Sequence, residues 1–89
     1  MTEIVLASGF RKAFKRKVRG NKNLEVRFRD RVALFQENPF DAKLKTHRLS
    51  GQLRGFWSFS IDYDARVVFS FTDPNRALFV DIGTHEEVY

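Results

Sequence analysis

The side chains best suited to move protons in this chain are two imidazoles, His47 and His85, and a phenol, Tyr89. Histidine ordinarily titrates near pH 6.5, so it can give or take a proton close to neutrality. A lone histidine near the end of a chain is also commonly a surface residue. Residue type alone therefore leaves His85 open between general acid–base catalyst and bystander. His47 has the weaker claim, because two histidines in 89 residues define no spacing. Tyr89 could stack on a base or relay a proton, but an aromatic ring there can also simply cover a core. With no Cys in the chain, and no carboxylate at ligand spacing from either histidine, no metal site is expected.

Cations are the second chemical resource. Arg66 lies in a strand-like run, Ala65-Arg-Val-Val-Phe69, where its fork can face outward and meet a phosphate gaining charge in a transition state. The alternative is a cross-strand ion pair with Asp62. A denser group occupies Arg11, Lys12, Lys15, Arg16, Lys17, Arg19 and Lys22, seven cations in twelve residues without an acid among them. Residues 1–31 hold ten Lys or Arg against three Asp or Glu, whereas residues 32–89 hold six against eight. On a helix the seven cannot pair internally. They form either a solvated face or a face for a polyanion, whose bound counterions such a face would release. The polyanion is the reading favoured here.

The elements that position these groups follow from periodicity. Residues 2–7 read as a first strand. Ser8 is the expected N-cap of a helix carrying Phe10, Ala13, Phe14 and Val18 at helical spacing, and Gly20-Asn21 closes it. A second helix is expected from Leu24 to Gln36, with Leu24, Phe28, Val32 and Phe35 as its apolar stripe. It ends at Asn38-Pro39, because the residue before proline is driven out of the α region. Phe40 to Lys45 is a loop or short turn, His47–Ser50 a short strand, and Gly51 to Gly55 a turn holding Arg54. Phe56–Asp62, Arg66–Thr72 and Ala77–Gly83 are strands rich in Phe, Val and Ile. The expected fold is α+β, with an N-terminal strand and a two-helix hairpin packed on a mainly antiparallel four- to five-stranded sheet.

Side-chain parity then assigns faces. Trp57, Phe59 and Ile61 share one, as do Val67, Phe69 and Phe71, and Leu78, Val80 and Ile82. A three-residue loop Tyr63–Ala65 and a register pairing Phe71 with Leu78 would align the three sets toward the helices. The other face then carries Ser58, Ser60, Asp62, Arg66, Val68, Ser70, Phe79 and Asp81, a polar surface for binding. Asp62 would stand opposite Arg66.

Composition bounds the rest. Eighty-nine residues make a single domain, 1–89, and ten Phe supply much apolar area for so small a core. The 43% hydrophobic and 30% charged content is that of a globular chain. No apolar run approaches the roughly 20 residues that span a bilayer. Met1–Leu6 lacks the basic start and apolar stretch of a signal peptide. A cytoplasmic location, with no membrane partner, is expected.

Three segments together resemble a known group: His47-Arg-Leu-Ser-Gly-Gln-Leu-Arg-Gly-Phe-Trp-Ser58, Asp64-Ala-Arg-Val-Val-Phe69, and Gly83-Thr-His-Glu-Glu-Val-Tyr89. They look like the RelE/ParE superfamily of type II toxin–antitoxin toxins, and the last is most similar to its YafQ-like branch. The likeness covers the whole chain in element order. It implies a ribosome-dependent endoribonuclease, an mRNA interferase without metal or organic cofactor, in which the RNA 2′-hydroxyl attacks the adjacent phosphate. It also implies a cognate antitoxin as partner, laid across the polar sheet face or the helix hairpin, besides mRNA and the ribosome. His85 and Tyr89 match the C-terminal His and aromatic of YafQ-like toxins, and His47 matches their upstream His. Arg66 matches the strand arginine of RelE-like toxins and Arg54 the basic residue before the second glycine of the turn. Catalysis is thus expected from His85, Tyr89, Arg66 and His47, and RNA binding from Arg54, Arg11, Lys12, Lys15, Arg16 and Arg19. Ser60 stands where YafQ-like toxins carry His, and Asp81 where active relatives carry Arg. Two other readings stay open: a ParE-like inhibitor of DNA gyrase, and a catalytically weakened member that only binds its antitoxin.

Overall fold

Two helices and five strands form where the apolar periodicity changes from about 3.6 residues to two. The computed structural model describes residues 1–84. In chain order the elements are β1 (Glu3–Leu6), α1 (Ser8–Lys17), α2 (Lys22–Glu37), β2 (His47–Arg48), β3 (Trp57–Ser60), β4 (Ala65–Asp73) and β5 (Arg76–Thr84), with 3-10 turns at Ala42–Leu44 and Gly51–Leu53. The sheet order is β1-β5-β4-β3-β2. β1 runs parallel to β5, and every other pairing is antiparallel. Both helices lie on one face, the α+β arrangement expected. No helix among the described residues is long and apolar enough to cross a membrane.

The helix ends differ from the sequence reading in two places. Ser8 is not the N-cap of α1 but its first residue; Ala7 holds the cap position with extended backbone. The Ala7 amide donates to the Phe79 carbonyl at 2.9 Å, so the sheet ladder holds the chain straight until the helix begins. At the other end, the Val18 and Arg19 amides both donate to the Phe14 carbonyl, and Gly20 turns the chain at φ +92°. Asn21 does not close α1; it opens α2, accepting from the Leu24 amide at 3.1 Å. The Glu25 carboxylate accepts from the Gly20 amide at 2.9 Å. Together these start α2 two residues before Leu24. Its end at Asn38, extended before Pro39, is as expected.

Phe rings fill the space between helices and sheet. Phe10, Phe35, Phe59, Phe69 and Phe79 are at most 1% exposed. The Phe35 ring of α2 stacks on Phe59 at 4.9 Å and meets Phe69 and Phe79 edge-on at 5.0 and 5.4 Å. Trp57, expected in the core, is half-buried at its margin, against Phe40 and Phe71.

Here the expected register fails. Phe71 pairs with Ala77 rather than Leu78, and Phe69 with Phe79, but Val68 pairs with Asp81. Val80 is therefore an extra residue, a bulge, and parity reverses across it. Ala77, Phe79 and Ile82 face the core in place of Leu78, Val80 and Ile82. The bulge buries a phenyl ring instead of a smaller valine while keeping Asp81 on the outer face.

Candidate functional site

Two rows of residues cross the face of the sheet away from the helices. One runs His47–Ser58–Val68–Asp81 through β2, β3, β4 and β5, and the next runs Ser60–Arg66–Gly83. The register thus brings Ser60, Arg66 and Asp81 onto one surface, as parity anticipated, and adds His47 to it. That surface is not open throughout: Ser58, Ser60 and Val68 are buried, at 0%, 8% and 2% exposure. Parity tells which face a side chain takes, not what lies over it. Its accessible groups lie at the margins, with His47 exposed on β2 and Arg66 half-exposed on β4. The His47 Nδ1 is 3.0 Å from the Lys45 carbonyl, which orients the ring.

Arg66 does not meet Asp62 as expected. Ser60 stands opposite it, and residues 61–64 form the connection between β3 and β4, rather than Tyr63–Ala65. Asp62 closes that connection: its Oδ1 accepts from the Asp64 and Ala65 amides at 2.9 and 2.8 Å, an Asx-type turn. Arg66 Nη1 donates instead to the carbonyl oxygens of Asp62 and Tyr63, at 3.2 and 3.3 Å. One corner of the guanidinium thus braces the hairpin loop. Its Nε and Nη2 have no partner among the described residues and remain available to an anion. Asp81, one row away, accepts from the Ile82 amide at 2.8 Å and forms no ion pair with Arg66.

β5 leads this face into the C-terminal motif. Gly83 lies opposite Arg66 and Thr84 opposite Ala65. His85 and Tyr89, which follow in sequence, lie outside the described residues.

The remaining cations are distributed in a way that the sequence does not show. Arg11, Lys15 and Arg19, four residues apart, line a cleft of about 400 Å³ floored by Leu6, Phe10, Phe14 and Phe28. Lys12 and Arg16 are exposed on α1. Arg54 is exposed where the Gly51–Leu53 turn ends, between glycines at φ +66° and +97°. Arg66 opens on a different pocket, of about 290 Å³, whose other cations are Arg27, Arg31, Lys43 and Lys45. Sequence reasoning missed those four. Two signals existed: Arg27 and Arg31 are one helical turn apart, and Lys43 and Lys45 flank Leu44, which is fully buried and turns both neighbours outward. A larger cleft of about 590 Å³ lies between Phe40, Trp57, Phe71 and the β4–β5 turn; its lining among the described residues includes Glu37 but no Lys, Arg or His. Among the described residues no three His, Cys, Asp or Glu side chains are grouped as metal ligands would be.

Comparison with known proteins bears on this geometry. A family model described as the bacterial toxin of a type II toxin–antitoxin system, YafQ, matches residues 2–89. The structure is similar to that of YafQ from Escherichia coli strain BL21(DE3), at 22% identity and a TM-score of 0.75, covering 100% of this chain and 99% of that one. It is similar to a metal-bound toxin from Helicobacter pylori, at 27% identity and a TM-score of 0.74, covering all of both chains. It is also similar to a chain of the YoeB–YefM complex from Staphylococcus aureus, at 19% identity and a TM-score of 0.74, covering 96% of this chain and 98% of that one. No curated protein sequence matches.

Proposed function

The chain belongs to the YafQ family of toxins of type II toxin–antitoxin systems, and from that premise we propose that it is a ribosome-dependent endoribonuclease that cuts mRNA and is silenced by a cognate antitoxin. One observation carries the reading. The half-engaged guanidinium of Arg66 lies in the same rung as Gly83, where β5 enters the Gly-Thr-His motif.

In the proposed reaction the RNA 2′-hydroxyl attacks the neighbouring phosphorus and the bond to the 5′-oxygen breaks. A base must take the 2′ proton and an acid must supply one to the leaving oxygen. His85 takes one of these roles, assisted by Tyr89 or His47. Extra negative charge collects on the phosphate oxygens between the two steps. Arg66 meets that charge through Nε and Nη2 without moving, since the hairpin carbonyls already hold Nη1; such preorganisation avoids a reorganisation cost. Arg54 and the cations of α1 and the turn after it, Arg11, Lys12, Lys15, Arg16 and Arg19, draw the polyanion toward this face. The antitoxin covers the sheet face or the helix hairpin and neutralises the same charge, a reading supported by the fold shared with the YoeB–YefM complex.

Asp81 favours a second reading, a toxin whose nuclease activity is weak. It places a carboxylate on the face where phosphate charge must be stabilised. Purified protein added to ribosomes translating a defined mRNA separates the two. Cleavage within the ribosome-bound codon by catalytic amounts of protein, lost on adding antitoxin, is the expected result; mRNA left intact, or cut only by protein in excess, would overturn it.

A further inference from the structure

We infer that the pocket between α2, the Lys43–Lys45 segment and the β3–β4 hairpin is a second RNA site, holding backbone phosphate beside the cleaved bond while Tyr63 stacks on an adjacent base. The inference rests on the ribonuclease reading and names residues which that reading does not use.

Among the described residues, five cations from three separate stretches of chain line this pocket: Arg27 and Arg31, Lys43 and Lys45, and Arg66. Among the described residues Asp62 is the only acid in the lining, and its Oδ1 is already occupied by two loop amides. Arg31 reaches Asp30 at 2.8 Å through Nη1 alone, on the exposed surface, where such pairs contribute little. Gathering so much like charge is unfavourable unless an anion shares the space, and a polyanion that enters releases its own counterions.

Tyr63 supplies the second, independent observation. It lines the same pocket, yet the residue is 97% exposed, while most of the aromatic rings of the described residues pack into or against the core. A solvent-facing ring beside a row of cations is the arrangement that binds single strands, with bases on the ring and phosphates on the cations. Arg66 belongs to both the pocket and the sheet face, so RNA held here would run directly to the proposed cleavage point.

Binding of a labelled single-stranded RNA oligonucleotide, followed by fluorescence anisotropy across a salt series, tests the assignment. Arg27→Glu with Lys43→Glu changes the charge by four; Lys15→Glu with Arg16→Glu and Arg19→Glu on α1 changes it by six. The pocket pair is expected to lose at least about tenfold in affinity and to lower the salt slope by roughly 0.7 for each phosphate contact removed. The α1 triplet, acting only at a distance, should lose less. Tyr63→Ala should cost roughly five- to a hundredfold with the slope unchanged. Arg27, Lys43 and Tyr63 are all exposed, so thermal melts should match the parent. If the losses rank by charge alone, with the triplet weaker than the pair, the inference is overturned while the ribonuclease reading stands. Oligoglutamate binding as tightly as RNA, with the same dependence on Arg27 and Lys43, would overturn it in favour of an acidic protein partner. A parent protein with no affinity for RNA at low salt would overturn the inference, while the ribonuclease reading stands or falls with cleavage on translating ribosomes.

Discussion

The two ends of the sheet are built from different materials. At the β3–β4 end, Arg66, Lys43, Lys45, Arg27 and Arg31 surround a polar pocket, and the backbone is held by Asp62 and by carbonyls rather than by packed rings. At the β4–β5 end, Phe40, Trp57 and Phe71 pack on one another at 5.3 to 5.9 Å, with Arg48 over the Trp57 ring at 5.1 Å. One end keeps charge available and the other removes apolar surface from water. Loss of a side chain should therefore reduce activity at the first end and stability at the second.

The largest expected effect is on the chemistry assigned to the first end. His85→Ala should slow cleavage by ~10²–10⁴ while leaving the melting temperature within error. The ionisation between roughly pH 5 and 8 should vanish from the rate profile as well. If His85 is the base, the missing limb is the rise with pH, because only the neutral ring accepts a proton; if it is the acid, the missing limb is the fall. His85→Gln cannot titrate and should be nearly as slow. A Gln variant cutting at the parent rate would reduce His85 to a positioning residue.

Asp81→Arg tests the same end in the opposite direction. Replacing an anion by a cation on the Arg66 face should raise the cleavage rate, by up to about a hundredfold or roughly 3 kcal/mol. A slower variant with an intact fold would mean that Asp81, through its bond to the Ile82 amide, belongs to the site in its present form.

Trp57→Ala addresses the packing end. Full burial would make the loss ~3–5 kcal/mol; a half-buried ring should cost about 2 kcal/mol, and cleavage per folded molecule should not change. A variant of parental stability with impaired cleavage would erase the contrast between the ends. The smallest effect belongs to neither. Asn21→Ala removes the cap of α2 and should cost about 1 kcal/mol in denaturant unfolding, with activity retained.

Much of this architecture is legible in residue order. The Leu24–Phe28–Val32–Phe35 stripe predicts a helix face, and Phe35 is indeed at the centre of the core. The alternation around Arg66 places it outward, and the structure agrees. The Gly83-Thr-His motif, with its partners at His47 and Gly51–Gly55, points to the YafQ family before any coordinate is known. Asn21 is a different case. As a residue type it can end one helix or cap the next, and only the reach of its Oδ1 to the Leu24 amide decides between them.

Local pattern, capping chemistry and net charge are properties of neighbours in sequence, and they sufficed for the α+β class, the element order and the outward turn of Arg66. Register and convergence are not. The bulge at Val80 exists because burying Phe79 among Phe10, Phe35 and Phe69 requires one extra residue in β5, a demand made by rings from four elements at once. The conspicuous basic run puts Arg11, Lys15 and Arg19 along one cleft and turns Lys12 and Arg16 away from it, because side chains project about 100° apart on a helix. Arg27, Arg31, Lys43, Lys45 and Arg66 are scattered through the sequence, and they share a pocket only because α2, a buried Leu44 and the β3–β4 hairpin pack against the same sheet.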